Sequence, residues 1–189
     1  MPQQRLMAVL LCGLLNSCAV LTTEPPKLND IVMPLAPPIA PARRVVQQIT
    51  AHWANKQATM LCVLELDKQH IAMAGLSNEG LSLFNLSYNG KKLTVDKSPL
   101  LPDSVAPEYI ITDLQLVYWP VAELQKSLPS PWRLVATKSQ RELYYQTQKI
   151  VAVQYVEPDA TWAKAVELTN YRYHYQLNIK TISYEALPE

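Results

Sequence analysis

The sequence has no apolar run of the about 20 residues that a membrane-crossing helix needs; Leu6 to Leu15 falls well short. It has no excess charge of either sign, since 17 Lys and Arg stand against 16 Asp and Glu. That balance gives the chain no electrostatic reason to bind nucleic acid. Histidine is scarce, and His52, His70 and His174 are widely separated, without the spacing of metal ligands. No nucleophile elbow is present either: "GLSNEG" lacks the glycine that must follow the serine by two positions. The acids Asp113 and Glu123 stand too far apart in sequence to make an evident catalytic pair, and Asp113 is expected to face solvent or to cap locally, with a role at the cavity mouth as the alternative. These absences argue against an enzyme and imply neither cofactor nor metal.

What is present begins with a leader. Arg5 and the amino terminus make a weakly positive start, an apolar stretch follows, and "LNSC" (Leu15 to Cys18) closes it, the features of a signal peptide. Leu15, Ser17 and Cys18 resemble the bacterial lipobox, whose cysteine is diacylated and becomes the new first residue. Cys12, after Leu11, fits that pattern badly. The resemblance implies a signal peptide over 1–17 and a lipid anchor at Cys18. Ala19 stands where an aspartate would favour inner-membrane retention, so the implied address is the periplasmic face of the outer membrane. Cleavage removes Arg5 and no acid, which leaves the mature chain formally neutral. With Cys18 acylated, Cys62 remains alone, and no internal disulfide is available. Its setting in "CVLEL" predicts a buried, inert thiol.

Residues 18–42 form a proline-rich tether (Pro25, Pro26, Pro34, Pro37, Pro38, Pro41) that is extended and semi-rigid. Met33, Leu35 and Ile39 are apolar enough to dock on the following domain instead, and the sequence leaves both arrangements open.

Residues 43–189 have the length of one domain, with no second linker and no internal repeat. Period-two alternation dominates, the mark of strands with one buried face. In "YRYHYQLNIK", Tyr171, Tyr173, Tyr175, Leu177 and Ile179 share one face, and Arg172, His174, Gln176, Asn178 and Lys180 the other. The Asn89-Gly90 pair is a hairpin signal. Strands are predicted over 44–53, 58–66, 70–76, 81–88, 92–96, 132–137, 142–147, 149–156, 163–170 and 173–183. One long interruption, near 106–128, reads as two lid helices opened by Pro107 and Pro120. Ile110, Leu114, Val117, Val121 and Leu124 recur along it at helical spacing, and burying the five stabilises by roughly 10 kcal/mol together.

A twisted antiparallel sheet of that many strands curls, and the helices must cover its open face. The expected fold is α+β, mainly antiparallel β: an incomplete, half-open barrel with a helical lid. The lid either completes an ordinary core or closes an apolar cavity of the kind found in barrel mouths.

The blocks Leu83 to Leu124, "WRLV" (Trp132 to Val135) and "LTNYRYHYQLNIKTI" (Leu168 to Ile182) resemble a family of bacterial lipoproteins often encoded within aryl polyene biosynthesis clusters. No catalytic residues come with that family. Aryl polyenes are lipid-linked pigments displayed at the outer membrane, so the resemblance implies apolar cargo. The expected architecture is also similar to the Lol-pathway lipoprotein carrier and its outer-membrane receptor (LolA/LolB-like), which implies a periplasmic LolA-like carrier as a partner. That receptor delivers cargo through a protruding apolar loop, whereas the comparable turn here is the polar "SNEG", Ser77 to Gly80. The expectation is therefore an outer-membrane lipoprotein that binds or transfers an apolar, lipid-like cargo. Candidate wall residues are Phe84, Leu86, Leu114, Val117, Tyr118, Val121 and Leu124. The alternative is a non-catalytic scaffold recruiting biosynthesis or export proteins through its many tyrosines, which suit strands equally well.

Overall fold

Alternation in the sequence becomes a single sheet. A computed structural model of the protein describes residues 32–101, 105–157 and 162–188; the leader, Cys18 and most of the tether lie outside these. The strands are β1 (Arg43–Trp53), β2 (Lys56–Leu66), β3 (Ile71–Leu76), β4 (Ser82–Tyr88) and β5 (Leu93–Lys97) before the helices. After them come β6 (Trp132–Ala136), β7 (Gln140–Tyr145), β8 (Gln148–Tyr155), β9 (Ala165–Asn170) and β10 (Tyr175–Ala186). All ten join in the order β5-β4-β3-β2-β1-β10-β9-β8-β7-β6, each antiparallel to its neighbours. β5 and β6 are the two edges and do not pair with each other, so the sheet stays open. The chain crosses between these edges through α1 (Pro107–Tyr118) and α2 (Val121–Ser127). An open antiparallel sheet with two helices across its gap is the expected α+β, half-open architecture.

Strand character follows from which side chains turn inward. In β1, Val45, Gln47 and Ile49 are buried while Arg44 and Gln48 are exposed, the two-residue period of a pleated strand. The Asn89-Gly90 turn joins β4 to β5, with Gly90 at φ +84° and Asn89 Oδ1 accepting from the amides of Lys91 and Lys92. Gly75 is required for another reason. It pairs directly with Phe84 on β4, and a Cβ there would meet the Phe84 ring at 2.2 Å. The ring lies over the glycine backbone and is fully buried.

One predicted strand starts later than its pattern suggests. Residues 171–174 form a turn, His174 has φ 54°, and β10 begins only at Tyr175. Asn170 causes the break: its Oδ1 accepts from the backbone amides of Arg172 and Tyr173, an Asx turn that competes with continued pairing. The tyrosine alternation before Tyr175 therefore does not describe a strand. Arg172, expected on the polar face, is instead buried.

The end of the proline-rich segment docks on the domain. Met33 and Ala36 are buried, and Leu35 and Ile39 pack against the core. The side chain of Gln115 on α1 holds Ala36 at both ends, accepting from its N–H at 2.8 Å and donating to its carbonyl at 2.8 Å. Trp119 adds an Nε1–H bond to the Pro37 carbonyl at 2.8 Å. Cys62 is buried, which pushes its thiol up to about 12.

Candidate functional site: a cleft under the lid

The two ends of α1 are held very differently. At its C-terminal end, Arg141 Nη1 donates to the carbonyls of Leu116 and Trp119 at 2.8 and 2.7 Å. Tyr155 donates its hydroxyl to the Val117 carbonyl. These are carbonyls that a helix terminus leaves without intrahelical partners, and a cation there also suits the helix dipole. Tyr118 is clamped as well: its ring stacks on Trp162 at 3.9 Å, and its oxygen accepts from Gln47 Nε2 at 2.6 Å. The N-terminal end starts at Ala106 without a side-chain cap. It overhangs a cleft.

That cleft has a volume of about 250 Å³, just under the ~300–1,000 Å³ common for small-molecule sites. Its floor is one patch of the sheet, built from Ile49, Ala51 and Trp53 on β1, Met60 on β2, and Tyr175 and Leu177 on β10. The register explains the patch. Ile49 pairs with Met60, Ala51 with Leu177, and Trp53 with Tyr175, so the inward side chains of three strands meet in rows. Ala51 lies between Ile49 and Trp53 on the same face of β1, and its small side chain leaves space that a larger one would fill. The roof is Val105, Ala106, Tyr109 and Ile110 from the start of α1.

One end of the cleft is polar. Tyr109 stacks on Tyr173 at 4.3 Å, and beside them lies Asp113, which is 5 % exposed. The Asp113 carboxyl accepts the hydroxyl hydrogen of Tyr175, and Asn170 Nδ2 donates to that same hydroxyl oxygen at 3.1 Å. Burial pushes the Asp113 carboxyl up to about 7, with the hydrogen bonds pulling the other way. Burial and the neighbouring carboxyl together push the Tyr175 phenol up. Asp113 was expected at the surface; the structure places it inside, because the helix turn that carries it faces the sheet. A small recess of about 30 Å³ opens behind this group and shares Tyr109, Asp113 and Tyr173 with the cleft. Asn170 and Arg172 line it too.

The seven residues picked from the sequence sit elsewhere. Phe84, Leu86, Leu114, Val117 and Leu124 are buried in the common core, and Tyr118 and Val121 pack against it. None of them lines the cleft. Apolar periodicity identified what the lid packs with, and the cleft lies one turn earlier, under residues 105–113. Ala51, small between Ile49 and Trp53 on one face of β1, is the signal that could have located it. His174 is exposed as read, and His52 and His70 make only local contacts, with Asn178 and Ser87. The turn Ser77 to Gly80 is polar, but Leu81 directly after it is 53 % exposed. Among the described residues, no three His, Cys, Asp or Glu side chains gather into a metal site, and no helix is long and apolar enough to cross a membrane.

An open antiparallel sheet whose gap is spanned by two helices over an apolar cleft defines the class. The chain belongs to the family described as protein of unknown function DUF3261, whose model matches residues 44–183. No curated protein matches it. Among solved structures it is similar to a domain assigned as an outer membrane lipoprotein-sorting protein from Vibrio parahaemolyticus, at 10% identity and a TM-score of 0.44, over 78% of this chain and 87% of that one. It is also similar to a DUF1329 family protein from Desulfovibrio piger, at 8% identity and a TM-score of 0.32, over 77% and 85% of the two chains. Both likenesses are of outline alone.

Proposed function

We propose that this protein is an outer-membrane lipoprotein, anchored through acylated Cys18 on the periplasmic face, whose cleft receives an apolar, lipid-like cargo. The cargo we favour is the aryl polyene lipid or its precursor, handed over by a periplasmic carrier. The observation that carries the binding step is the cleft itself: an apolar floor under the one end of α1 that has no side-chain cap. Binding is by burial, at about 25 cal/mol per Å² of apolar surface removed from water. No residue in the wall is asked to do chemistry.

Native mass spectrometry of the protein purified from pigment-making cells tests this reading. Wild type should carry a lipid-sized adduct. Ala51→Phe, which fills the centre of the floor, should lose most of it while circular dichroism stays unchanged. A wild-type protein without adduct, or a folded Ala51→Phe that keeps its load, would remove the carrier reading. The anchor has its own test: Cys18→Ser should no longer incorporate radiolabelled palmitate, and label retained by that variant would refute the assignment.

A further inference from the structure

Arg172 stands in the turn between β9 and β10 with its side chain directed inward. It is 5 % exposed and lines the small recess behind the cleft. Its guanidinium lies over the Tyr173 ring, 4.6 Å from the centroid, which occupies a face of the group and none of its N–H bonds. Nε and Nη2 are both buried and make no hydrogen bond. These two nitrogens share one edge of the guanidinium, so their N–H bonds run side by side. That edge is the fork that takes two oxygens of one carboxylate or phosphate. Arginine does not lose its proton in proteins, and a buried cation without a counter-ion is strongly destabilising. Asp113 lines the same recess, but burial raises its carboxyl to about 7, so below that pH it is neutral and is no counter-ion to Arg172.

The recess has about 30 Å³, more than the ~10–15 Å³ that one water-sized group requires. It shares three wall residues, Tyr109, Asp113 and Tyr173, with the apolar cleft, so the two spaces adjoin at the polar end of the cleft. We propose that the ligand is a single-chain amphiphile with an anionic headgroup, its chain in the cleft and two headgroup oxygens on the Nε–Nη2 edge of Arg172. This rests on the cleft reading and adds the headgroup to it.

Calorimetric titration of the full-length protein with dodecanoate, dodecyl phosphate, dodecanol, acetate and inorganic phosphate, at low salt and at pH 6, where Asp113 keeps its proton, tests it. A pair of charge-assisted hydrogen bonds predicts that dodecanoate or dodecyl phosphate binds at least about tenfold more tightly than dodecanol. In Arg172→Gln this preference should vanish while dodecanol binding persists, and Arg172→Lys, which keeps the charge without the fork, should fall between. Equal affinities for dodecanoate, dodecyl phosphate and dodecanol overturn the headgroup assignment alone. If dodecanol and both amphiphiles fail to bind, the cleft reading falls with it. Acetate or phosphate binding as tightly as the long-chain acids would mean a free-anion site and would overturn the amphiphile. Should Arg172→Gln not fold, the wild-type comparison at equal chain length decides.

Discussion

Gln115→Leu should destabilise the protein by about 2–6 kcal/mol. The substitution keeps the volume of a fully buried side chain and removes both hydrogen bonds to Ala36. Ala36 is itself fully buried, so its N–H and carbonyl lose their partners where no water replaces them, at about 1–3 kcal/mol each. For a domain of this size the thermal midpoint should fall by roughly 2–4 °C per kcal/mol. Urea unfolding of wild type and variant measures the loss directly. A change under about 1 kcal/mol would mean that the docked segment is not held by this side chain. Amide exchange at Ala36 gives an independent reading: it should accelerate in the variant well before the sheet amides do.

Asp113→Asn carries the second large effect, and its sign depends on pH. An aspartate in the unfolded chain titrates near 3.9, whereas in the fold burial raises Asp113 to about 7. Below about pH 4 both states hold the proton and the group contributes no pH dependence. Between about pH 4 and 7 the unfolded state releases it while the folded state keeps it, so stability falls as pH rises and levels off above 7. Three pH units correspond to about 4 kcal/mol. The side chain is buried, so solvent screening does not reduce this much. Asparagine keeps an acceptor for the Tyr175 hydroxyl and has no charge to bury. The variant should therefore lose this slope and exceed wild type at pH 8 by up to about 4 kcal/mol. Urea unfolding from pH 4 to 8 decides the matter. Parallel curves for the two proteins would show that Asp113 does not titrate as its surroundings imply.

The strands were legible because their signal is local. Burial alternates over Arg43–Ile49 in β1, Leu61–Leu66 in β2 and Leu83–Tyr88 in β4, and a period of two survives whatever the sheet packs against. The two prolines that open the lid helices are local signals too: Pro107 starts α1 and Pro120 is the N-cap residue of α2. The apolar stripe marks a surface turned inward: Leu114, Val117 and Leu124 are buried, and Ile110 and Val121 pack against the core. It was less informative about the cleft, because a side chain that packs tightly and one that borders a space look alike in a hydropathy pattern. Trp53, Met60 and Leu177 meet only through the pairing of β2, β1 and β10, and the last of these lies more than a hundred residues from the others in sequence. Asp113 and Arg172 were misplaced for a related reason. Charge predicts exposure for a residue considered alone, and both are drawn inward: Asp113 by Tyr175 on β10, and Arg172 by the Asn170 turn that interrupts the strand alternation.

The strand order has a bearing on how the molecule is made. β1 lies at the middle of the sheet, between β2, which follows it at once, and β10, the last strand of all. Until the final residues are available, β1 has one ladder edge without a partner and the sheet exists only as two separate halves, β5 to β1 and β9 to β6. Joining them closes a loop from Trp53 to Tyr175, and contacts of such long sequence separation slow folding. A ribosome or a translocation channel that delivers this chain from its amino terminus thus releases β10 after the nine strands it unites, and a chain cut short before Tyr175 has two half-sheets with no strand pairing between them.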